Sequence, residues 1–275
     1  MKMKKRTLII VAAVFGFFLI NCNAIAGYLD PDSGWENLSQ YNSTQNDGYG
    51  NNTPSSWQYK YKEDNEVEPN AVTGQQWDLE GFFLSDGTNE DVPGNTLALV
   101  GGFDFASGVD GVGAGDIFID AELGNDYYEY VMDLNFGSNT YDLIQLDPGK
   151  TDEQIQYVSQ SGVASPLPNP GVVPYKYSGG GYSLGSFALT YLHKDDSNIG
   201  AGLTGGSHDI VLVNLGFLAG NTNFEVLNTM ACGNDVVFGA GSTTAAVPEP
   251  ATIFLLGSGL LGLFGYRKKM KKTNI

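Results

Sequence analysis

The chain has 275 residues, 42% of them hydrophobic and 16% charged, which is ample apolar material for a packed core and excludes wholesale disorder. Residues 27–247 contain five basic and thirty acidic residues, a balance of −25, and a surface of that sign repels a phosphate backbone. Nucleic acid is therefore not an expected partner. Two cysteines and two histidines in the whole chain exclude zinc-cluster and disulfide-dense scaffolds.

The N-terminus has the pattern of a secretory signal peptide. Basic residues between positions 2 and 6 precede an apolar run from Leu8 to Ile20, and an A-x-A cleavage site with Ala24 and Ala26 follows. As a helix this run would rise about 20 Å, short of a hydrocarbon core of about 30 Å. The pattern predicts export through the Sec translocon and cleavage by signal peptidase after Ala26. A retained N-terminal anchor is the alternative.

The predicted body, residues 27–245, divides at about residue 75. Residues 27–75 are rich in Asn, Ser, Gly, Asp and Tyr and predict an irregular polar region, with one alternating stretch at Trp57 to Tyr61. Residues 76–245 instead contain nine short apolar or alternating runs, mostly separated by Gly, Asn, Asp or Pro. These runs are Trp77 to Leu84, Thr96 to Phe105, Asp116 to Ala121, Tyr127 to Phe136, Thr140 to Leu146, Tyr182 to Leu192, His208 to Leu218, Phe224 to Met230 and Asp235 to Phe238.

The nine runs predict a single all-β domain over residues 76–245, an antiparallel β-sandwich or a jelly-roll-like fold. Asp152 to Gln160 is the one predicted short helix of this domain. Ser165 to Pro174 contains four prolines and is predicted to be a surface loop.

Two glycine-rich motifs have a chemical and a structural interpretation. Gly181 to Gly185 matches the G-x-S-x-G nucleophile elbow, which would make Ser183 a nucleophile with His193 or His208 as its base. A Gly triplet before Ser183 and a strand-like run after it favour a turn that enters a strand. Gly200 to Gly205 matches G-x-G-x-x-G, but a strand-like run follows where a dinucleotide site needs a helix, so a loop between strands is favoured.

Acidic and aromatic residues supply the remaining candidate sites. Asp116, Asp120 and Asp235 place carboxylates on Gly-rich loops that Ca²⁺ could use, but no complete calcium loop is present, so solvated turns are favoured and no cofactor is expected. Aromatic rings could stack on sugars or pack in the core. The rings considered are those of Trp35, Trp57, Trp77, Tyr127 and Tyr128.

The C-terminus, residues 246–275, has the pattern of a membrane-anchored tail. Val247-Pro248-Glu249-Pro250 precedes an apolar stretch from Ala251 to Tyr266, and a predicted membrane helix begins after the prolines because they cannot continue a helix on their N-terminal side. A basic cluster directly after the stretch stays cytoplasmic under the positive-inside rule. It consists of Arg267, Lys268, Lys269, Lys271 and Lys272. The body is therefore expected outside the inner membrane.

The string VPEPATIFLLGSGLLGLFGYRKK resembles the PEP-CTERM sorting signal in its Pro-Glu-Pro triplet, its Gly- and Leu-rich helix and its basic stop, over about residues 246–272. The resemblance implies recognition by exosortase, a membrane protease or transpeptidase of Gram-negative bacteria that make extracellular polysaccharide. It makes Pro248, Glu249 and Pro250 recognition residues, not catalytic ones. It also implies transient anchoring in the inner membrane and then a place at the cell surface or outside the cell.

The body itself resembles a group of uncharacterised exosortase-dependent surface proteins through three blocks: residues 115–120 (GDIFID), 130–134 (YVMDL) and 232–235 (CGND). No activity attaches to that group. The favoured function is thus a non-enzymatic structural or carbohydrate- and matrix-binding module, with extracellular polysaccharide as a partner. The alternative is a secreted hydrolase that uses Ser183 with His193 or His208.

Cysteine usage gives one further expectation. Cleavage after Ala26 removes Cys22 and leaves Cys232 as the one cysteine of the exported chain, so no internal disulfide can form. An exposed thiol in an oxidising compartment tends to form bridges between molecules, and Cys232 is therefore expected to be shielded.

Overall fold

The structure, a computed structural model, describes residues 29, 34–40, 71–89, 92–125, 127–159, 172–195, 199, 203, 206–218 and 220–244. The predicted signal peptide, the predicted sorting signal and Trp57 lie outside these residues. The described strands are β1 (Trp35–Asn37), β2 (Ser39–Gln40), β3 (Leu79–Ser85), β4 (Thr96–Gly101), β5 (Ile117–Asp120), β6 (Tyr130–Asn135), β7 (Thr140–Gln145), β8 (Ile155–Ser159), β9 (Val172–Tyr177), β10 (Tyr182–Ala188), β11 (Thr190–Lys194), β12 (His208–Asn214), β13 (Asn223–Thr229) and β14 (Val236–Ser242). The described helical segments are a 3-10 turn (Gln75–Trp77) and α1 (Thr151–Gln154).

Two antiparallel sheets form a sandwich, which confirms the predicted all-β fold. One sheet has five strands in the order β1-β3-β4-β12-β11, and the other has seven in the order β10-β7-β6-β5-β13-β14-β2. The main core lies between them because alternate side chains of each strand point to the same face. On β4, for example, Leu97 and Leu99 join this core, while Ala98 and Val100 join a second cluster on the outer face of the five-stranded sheet.

A third layer covers the outer face of the seven-stranded sheet. It is the two-stranded sheet β8-β9, which we call the outer hairpin. Ile155 and Val173 of this hairpin pack in a cluster with Phe118, Val131 and Ile144 of the sheet beneath them. Both faces of strand β5 are therefore buried, and its sequence is apolar at three successive positions, Ile117 to Ile119.

Each of the nine predicted runs contains strand residues, but the run from Tyr182 to Leu192 is divided between two strands. Leu189 separates β10 of the seven-stranded sheet from β11 of the five-stranded sheet. The amide of Leu189 donates to the carbonyl of Asn139, and its side chain packs in the main core. The chain thus changes sheets at one buried residue, with no turn residue to mark the change in the sequence.

The predicted helix at Asp152 to Gln160 is wrong over most of its length. α1 ends at Gln154, and Ile155–Ser159 forms β8, which pairs with β9. β9 also enters the predicted surface loop, since Pro174 lies within the strand opposite Tyr157. The register of the pair shifts beside Pro174, between Gln156 and Tyr157. Proline lacks an N–H and is tolerated at such irregular positions of a sheet.

Part of the region predicted to be irregular, residues 27–75, is ordered into strands. β1 pairs with β3 in one sheet, and β2 pairs with β14 in the other. Leu38 lies between β1 and β2, donates its amide to Phe82 of β3 and accepts from the amide of Ala240 in β14. This short segment therefore bridges the edges of both sheets, and the buried side chains of Trp35 and Leu38 account for its order.

Candidate functional site

The most densely connected polar group of the outer hairpin surrounds Asp116, the residue before β5. Its carboxylate is buried and accepts three hydrogen bonds: from Lys176 Nζ at 2.5 Å and the Leu134 amide at 3.1 Å on Oδ1, and from the Tyr177 amide at 2.8 Å on Oδ2. Asp133 Oδ1 lies 3.4 Å from the same Nζ. We call Asp116, Asp133 and Lys176, with these two amides, the hairpin anchor.

The backbone around Asp116 explains how the anchor is positioned. The amide of Gly115 donates to Thr229 of β13, and the amide of Asp116 donates to Tyr175 of β9. A Cβ atom on Gly115 would lie 2.3 Å from the Thr229 oxygen and 2.5 Å from the Tyr175 oxygen, so a side chain has no room there. Asn228 Nδ2 donates to the carbonyls of both Gly115 and Asp116. The sheet and the outer hairpin thus hold Asp116 from both sides.

Opposing effects act on the charges of the anchor. Burial raises the pKa of Asp116 to about 6, although the Lys176 ammonium and its hydrogen bond act to lower it. Partial burial lowers the pKa of Lys176, but Asp116 and Asp133 outweigh this effect and leave that pKa raised. The protonated Lys176 thus lies against a carboxyl group that has no contact with water, since the Asp116 side chain is 0% exposed.

The other end of β5 holds carboxylates with no cationic side chain beside them among the residues that the structure describes. Asp120 lies opposite Glu225 of β13, and Glu129 lies beside it. Glu129 accepts hydrogen bonds from the amide of Ala121 at 2.7 Å and from Asn125 Nδ2 at 2.5 Å. Burial first, and then the charges of Glu129 and Glu225, raise the pKa of Asp120 to about 6. We call Asp120, Glu129 and Glu225 the acidic end.

The calcium candidates are not arranged as a cation site. Among the residues that the structure describes, no group of three or more His, Cys, Asp or Glu side chains could hold a metal ion. Asp116 is surrounded by hydrogen-bond donors, and the buried Asp235 accepts from the amides of Leu79 and Val236 at 2.5 and 2.8 Å. Because donors repel a cation, Asp116 and Asp235 are corrected from calcium candidates to structural carboxylates.

The two histidines lie on opposite faces of the five-stranded sheet. His193 of β11 is 56% exposed, with Nδ1 2.5 Å from Asp209 Oδ1 and Nε2 3.1 Å from Asp195 Oδ1. The hydrogen bond to Asp209 raises the pKa of His193. His208 of β12 is fully buried, with Nε2 2.9 Å from Glu80 Oε2. Both imidazoles therefore lie against carboxylates.

Ser183 lies in the other sheet. It is the second residue of β10 and stands opposite Ile144 of β7. Residues 179–181 have positive φ angles of 120°, 95° and 66°, so a Gly-rich turn enters the strand, as the favoured interpretation of the G-x-S-x-G motif predicts. The structure does not bring Ser183 into hydrogen-bond contact with either histidine among the residues it describes.

For Trp35 and Trp77, the structure decides between stacking on sugars and packing in the core. Trp35 and Trp77 are 2% and 8% exposed and pack in the hydrophobic clusters, so neither indole presents a face to a sugar. Tyr128 is buried as well, whereas Tyr182 is 67% exposed.

The expected shielding of Cys232 is wrong, because its side chain is exposed. It lies in the turn after β13, where Met230 fills the core instead.

The C-terminal segment that follows the described residues decides the cellular context. Residues 246–269 match the PEP-CTERM protein-sorting motif. The match contains Pro248, Glu249 and Pro250, and it supports export of the chain, sorting by exosortase and transient anchoring in the membrane before surface or extracellular release. No curated protein and no solved structure matches the chain. None of the described helices is long and apolar enough to cross a membrane.

Sequence reasoning found the PEP-CTERM motif but missed Lys176 and Asp133 of the hairpin anchor. One signal was available. Lys176 is one of five basic residues in a strongly acidic body, and it stands between Tyr175 and Tyr177 in an otherwise apolar segment. Its partner Asp116 is sixty positions earlier, so their contact depends on the third layer, which the sequence pattern did not predict.

Proposed function

We propose that this chain is an exported surface protein of a Gram-negative bacterium with a non-enzymatic, structural or matrix-binding body. The PEP-CTERM motif at residues 246–269, close after the last described residue Thr244, carries the export and sorting part of this proposal. The body passes the inner membrane through the Sec translocon, and signal peptidase cuts after Ala26. Exosortase then acts at the Pro-Glu-Pro triplet and releases the body to the polysaccharide layer.

The buried polar groups support a structural role. Asp116, Glu129 and Asp235 each accept several hydrogen bonds from the protein's own amides or side chains, which ties loops to sheets. Buried carboxylates of this kind stabilise a fold when every oxygen has a donor. They are not arranged around an open site.

The contact with polysaccharide is assigned to exposed tyrosines. Tyr182 is 67% exposed and Tyr157 is 40% exposed. Tyrosine combines an apolar ring face with a polar hydroxyl, which suits contact with a sugar ring. The net charge of −25 over residues 27–247 disfavours an anionic polymer, so the preferred polysaccharide is neutral.

The sorting step is tested by comparing the chain in cells with and without exosortase. In competent cells, intact-mass measurement should find a surface form that begins at Gly27 and has lost the tail after the triplet. Glu249→Ala should leave the tail attached and the chain in the membrane. The matched control is Glu68→Ala, which changes the other Glu-Pro pair of the chain. Equal loss of the tail in cells that lack exosortase would contradict the proposal.

The binding and hydrolase alternatives are separated by two measurements on the purified surface form. Retardation in a gel that contains the cells' own polysaccharide should weaken in Tyr182→Ala and stay unchanged in Tyr128→Phe, whose ring is buried. A fluorophosphonate probe should not label the protein. Labelling that Ser183→Ala abolishes would favour the hydrolase instead.

A further inference from the structure

We propose that Lys176 and Asp116 join through an intramolecular isopeptide bond, which ties the outer hairpin covalently to the seven-stranded sheet. The amine and the carboxyl group are already in contact, with 2.5 Å between Lys176 Nζ and Asp116 Oδ1. The bond would join two residues that are sixty positions apart along the chain.

The environment of the carboxyl group favours condensation over a permanent ion pair. Asp116 is fully buried, and a charge in such a position has a large desolvation cost that a salt bridge often fails to offset. An amide in the same place is neutral and keeps its oxygen as a hydrogen-bond acceptor. The carboxyl group also has a pKa raised to about 6, so its protonated form is accessible near neutral pH.

The step balances without an oxidant or a cofactor. A proton passes from the Lys176 ammonium to the Asp116 carboxylate, and the free electron pair of Nζ attacks Cγ. The negative charge that develops on Oδ2 is held by the Tyr177 amide, which already donates to that oxygen at 2.8 Å. The tetrahedral intermediate then carries a hydroxyl on the other oxygen and an extra proton on nitrogen.

Asp133 is the group placed to move that second proton. Its Oδ1 lies 3.4 Å from Lys176 Nζ, so its carboxylate can take the proton from nitrogen and deliver it to the hydroxyl. The hydroxyl leaves as water, the carbonyl re-forms and Asp133 is regenerated. One carbon–nitrogen bond forms and one carbon–oxygen bond breaks.

The bond has a structural purpose in an exported chain. The outer hairpin is a two-stranded sheet, a unit with marginal stability by itself. Secreted domains commonly fix such elements with disulfides, but Cys232 is the only cysteine after residue 26, so an internal disulfide is not available. A lysine–aspartate amide fixes the hairpin without a second thiol.

Tryptic mapping of the purified surface form tests the proposal directly. Trypsin should cut after Lys62, Lys150 and Lys194 but not after the acylated Lys176. Peptide 63–150 should therefore appear joined to peptide 151–194, lighter than their sum by one water molecule. Separate peptides 63–150, 151–176 and 177–194 from the wild-type protein would overturn the proposal.

Variants identify the reacting groups. Lys176→Arg keeps the cation but should give separate peptides, whereas Lys150→Arg is the matched control and should keep the joined pair. Asp116→Asn should still give the joined pair, because ammonia can leave in place of water, and Asp116→Ala should not. Asp133→Asn should greatly reduce the joined fraction at an unchanged circular dichroism spectrum. Full joining in Asp133→Asn would overturn the role assigned to Asp133.

Discussion

The two ends of strand β5 present the same side chain in opposite surroundings. Asp116 and Asp120 lie on one face of the strand, since residues two apart share a face, and burial contributes to a pKa of about 6 at both. At the hairpin anchor a lysine and two amides surround the carboxyl group. At the acidic end Glu129 and Glu225 surround it. Equal pKa shifts can therefore hide electrostatic environments of opposite sign, and substitutions at the two ends should act in opposite directions.

The largest expected effect is that of Asp116→Ala. It removes the isopeptide bond to Lys176 and the acceptor of two backbone amides. It should lower the free energy of unfolding by at least about 3–5 kcal/mol, the range for breaking a buried ion pair alone. Urea unfolding of the purified protein measures the change. Asp120→Ala, at the acidic end, is the matched variant and should not lower the free energy of unfolding, because it removes a carboxylate that lies beside Glu129 and Glu225. Equal losses for the two variants would mean that the surroundings of the two carboxyl groups do not matter.

Lys176→Met should have the next largest effect, about 1–3 kcal/mol, because it leaves the buried Asp116 without its cation. No isopeptide bond can form in this variant, so Asp116 titrates. Lys176 lowers the pKa of Asp116, and its loss should move that pKa above about 6. A folded pKa above the unfolded one means that stability falls as pH rises between the two values. Urea midpoints should accordingly decrease from pH 4 upwards, and a midpoint that increases over this range would contradict the argument.

Local pattern predicted most strands of the two large sheets, but not β1 and β2 and not the layer that completes the hairpin anchor. Strands such as β4 and β12 are apolar or alternating and are bounded by turn residues, so their type follows from the sequence alone. β8 contains five residues, Ile-Gln-Tyr-Val-Ser, which fit a helix or a strand equally well. Its conformation is decided by pairing with β9, more than ten residues further along the chain. Long-range pairing of this kind leaves no local signal.

The candidate sites differ in the same respect: one is local in the sequence, and the other depends on long-range contacts. The PEP-CTERM motif is a contiguous string and was found from the sequence, whereas the hairpin anchor joins residues from β6, β9 and the segment before β5. Trp35 and Cys232 show that residue type alone does not predict whether a side chain is buried. The indole has a polar edge and lies in the core, and the thiol behaves as a small apolar group in many proteins but is exposed here.

At the acidic end, Asp120→Asn should increase stability. Its carboxyl group has a raised pKa in the folded state, so ionisation at neutral pH opposes folding, and the amide removes this cost. Because the group is partly exposed, solvent screening limits the gain to about 1 kcal/mol at neutral pH. The gain should decrease as pH falls and vanish below about pH 3, where the folded and the unfolded states both bind the proton. Urea midpoints at both values measure it, with Asp142→Asn, an exposed carboxylate opposite Asp133, as a control. A loss of stability at neutral pH would show that the ionised Asp120 carboxylate makes net favourable interactions with its neighbours in the folded state.

Calcium should have the smallest effect and distinguishes the two ends most directly. A cation would be repelled from the hairpin anchor by Lys176, and at the acidic end it would compete with the amide of Ala121 and with Asn125 for the oxygens of Glu129. A site half-filled at about 1 mM calcium adds about 0.4 kcal/mol to folding stability. For a domain of this size that is an increase in Tm of about 1–2 °C, and the expected shift is no larger. A larger shift that Asp120→Asn or Glu225→Gln abolishes, and that Asp116→Asn leaves intact, would place a calcium site at the acidic end. The same shift abolished only by Asp116→Asn would reverse the assignment of the two ends, because it would require Lys176 to leave the carboxylate it now contacts.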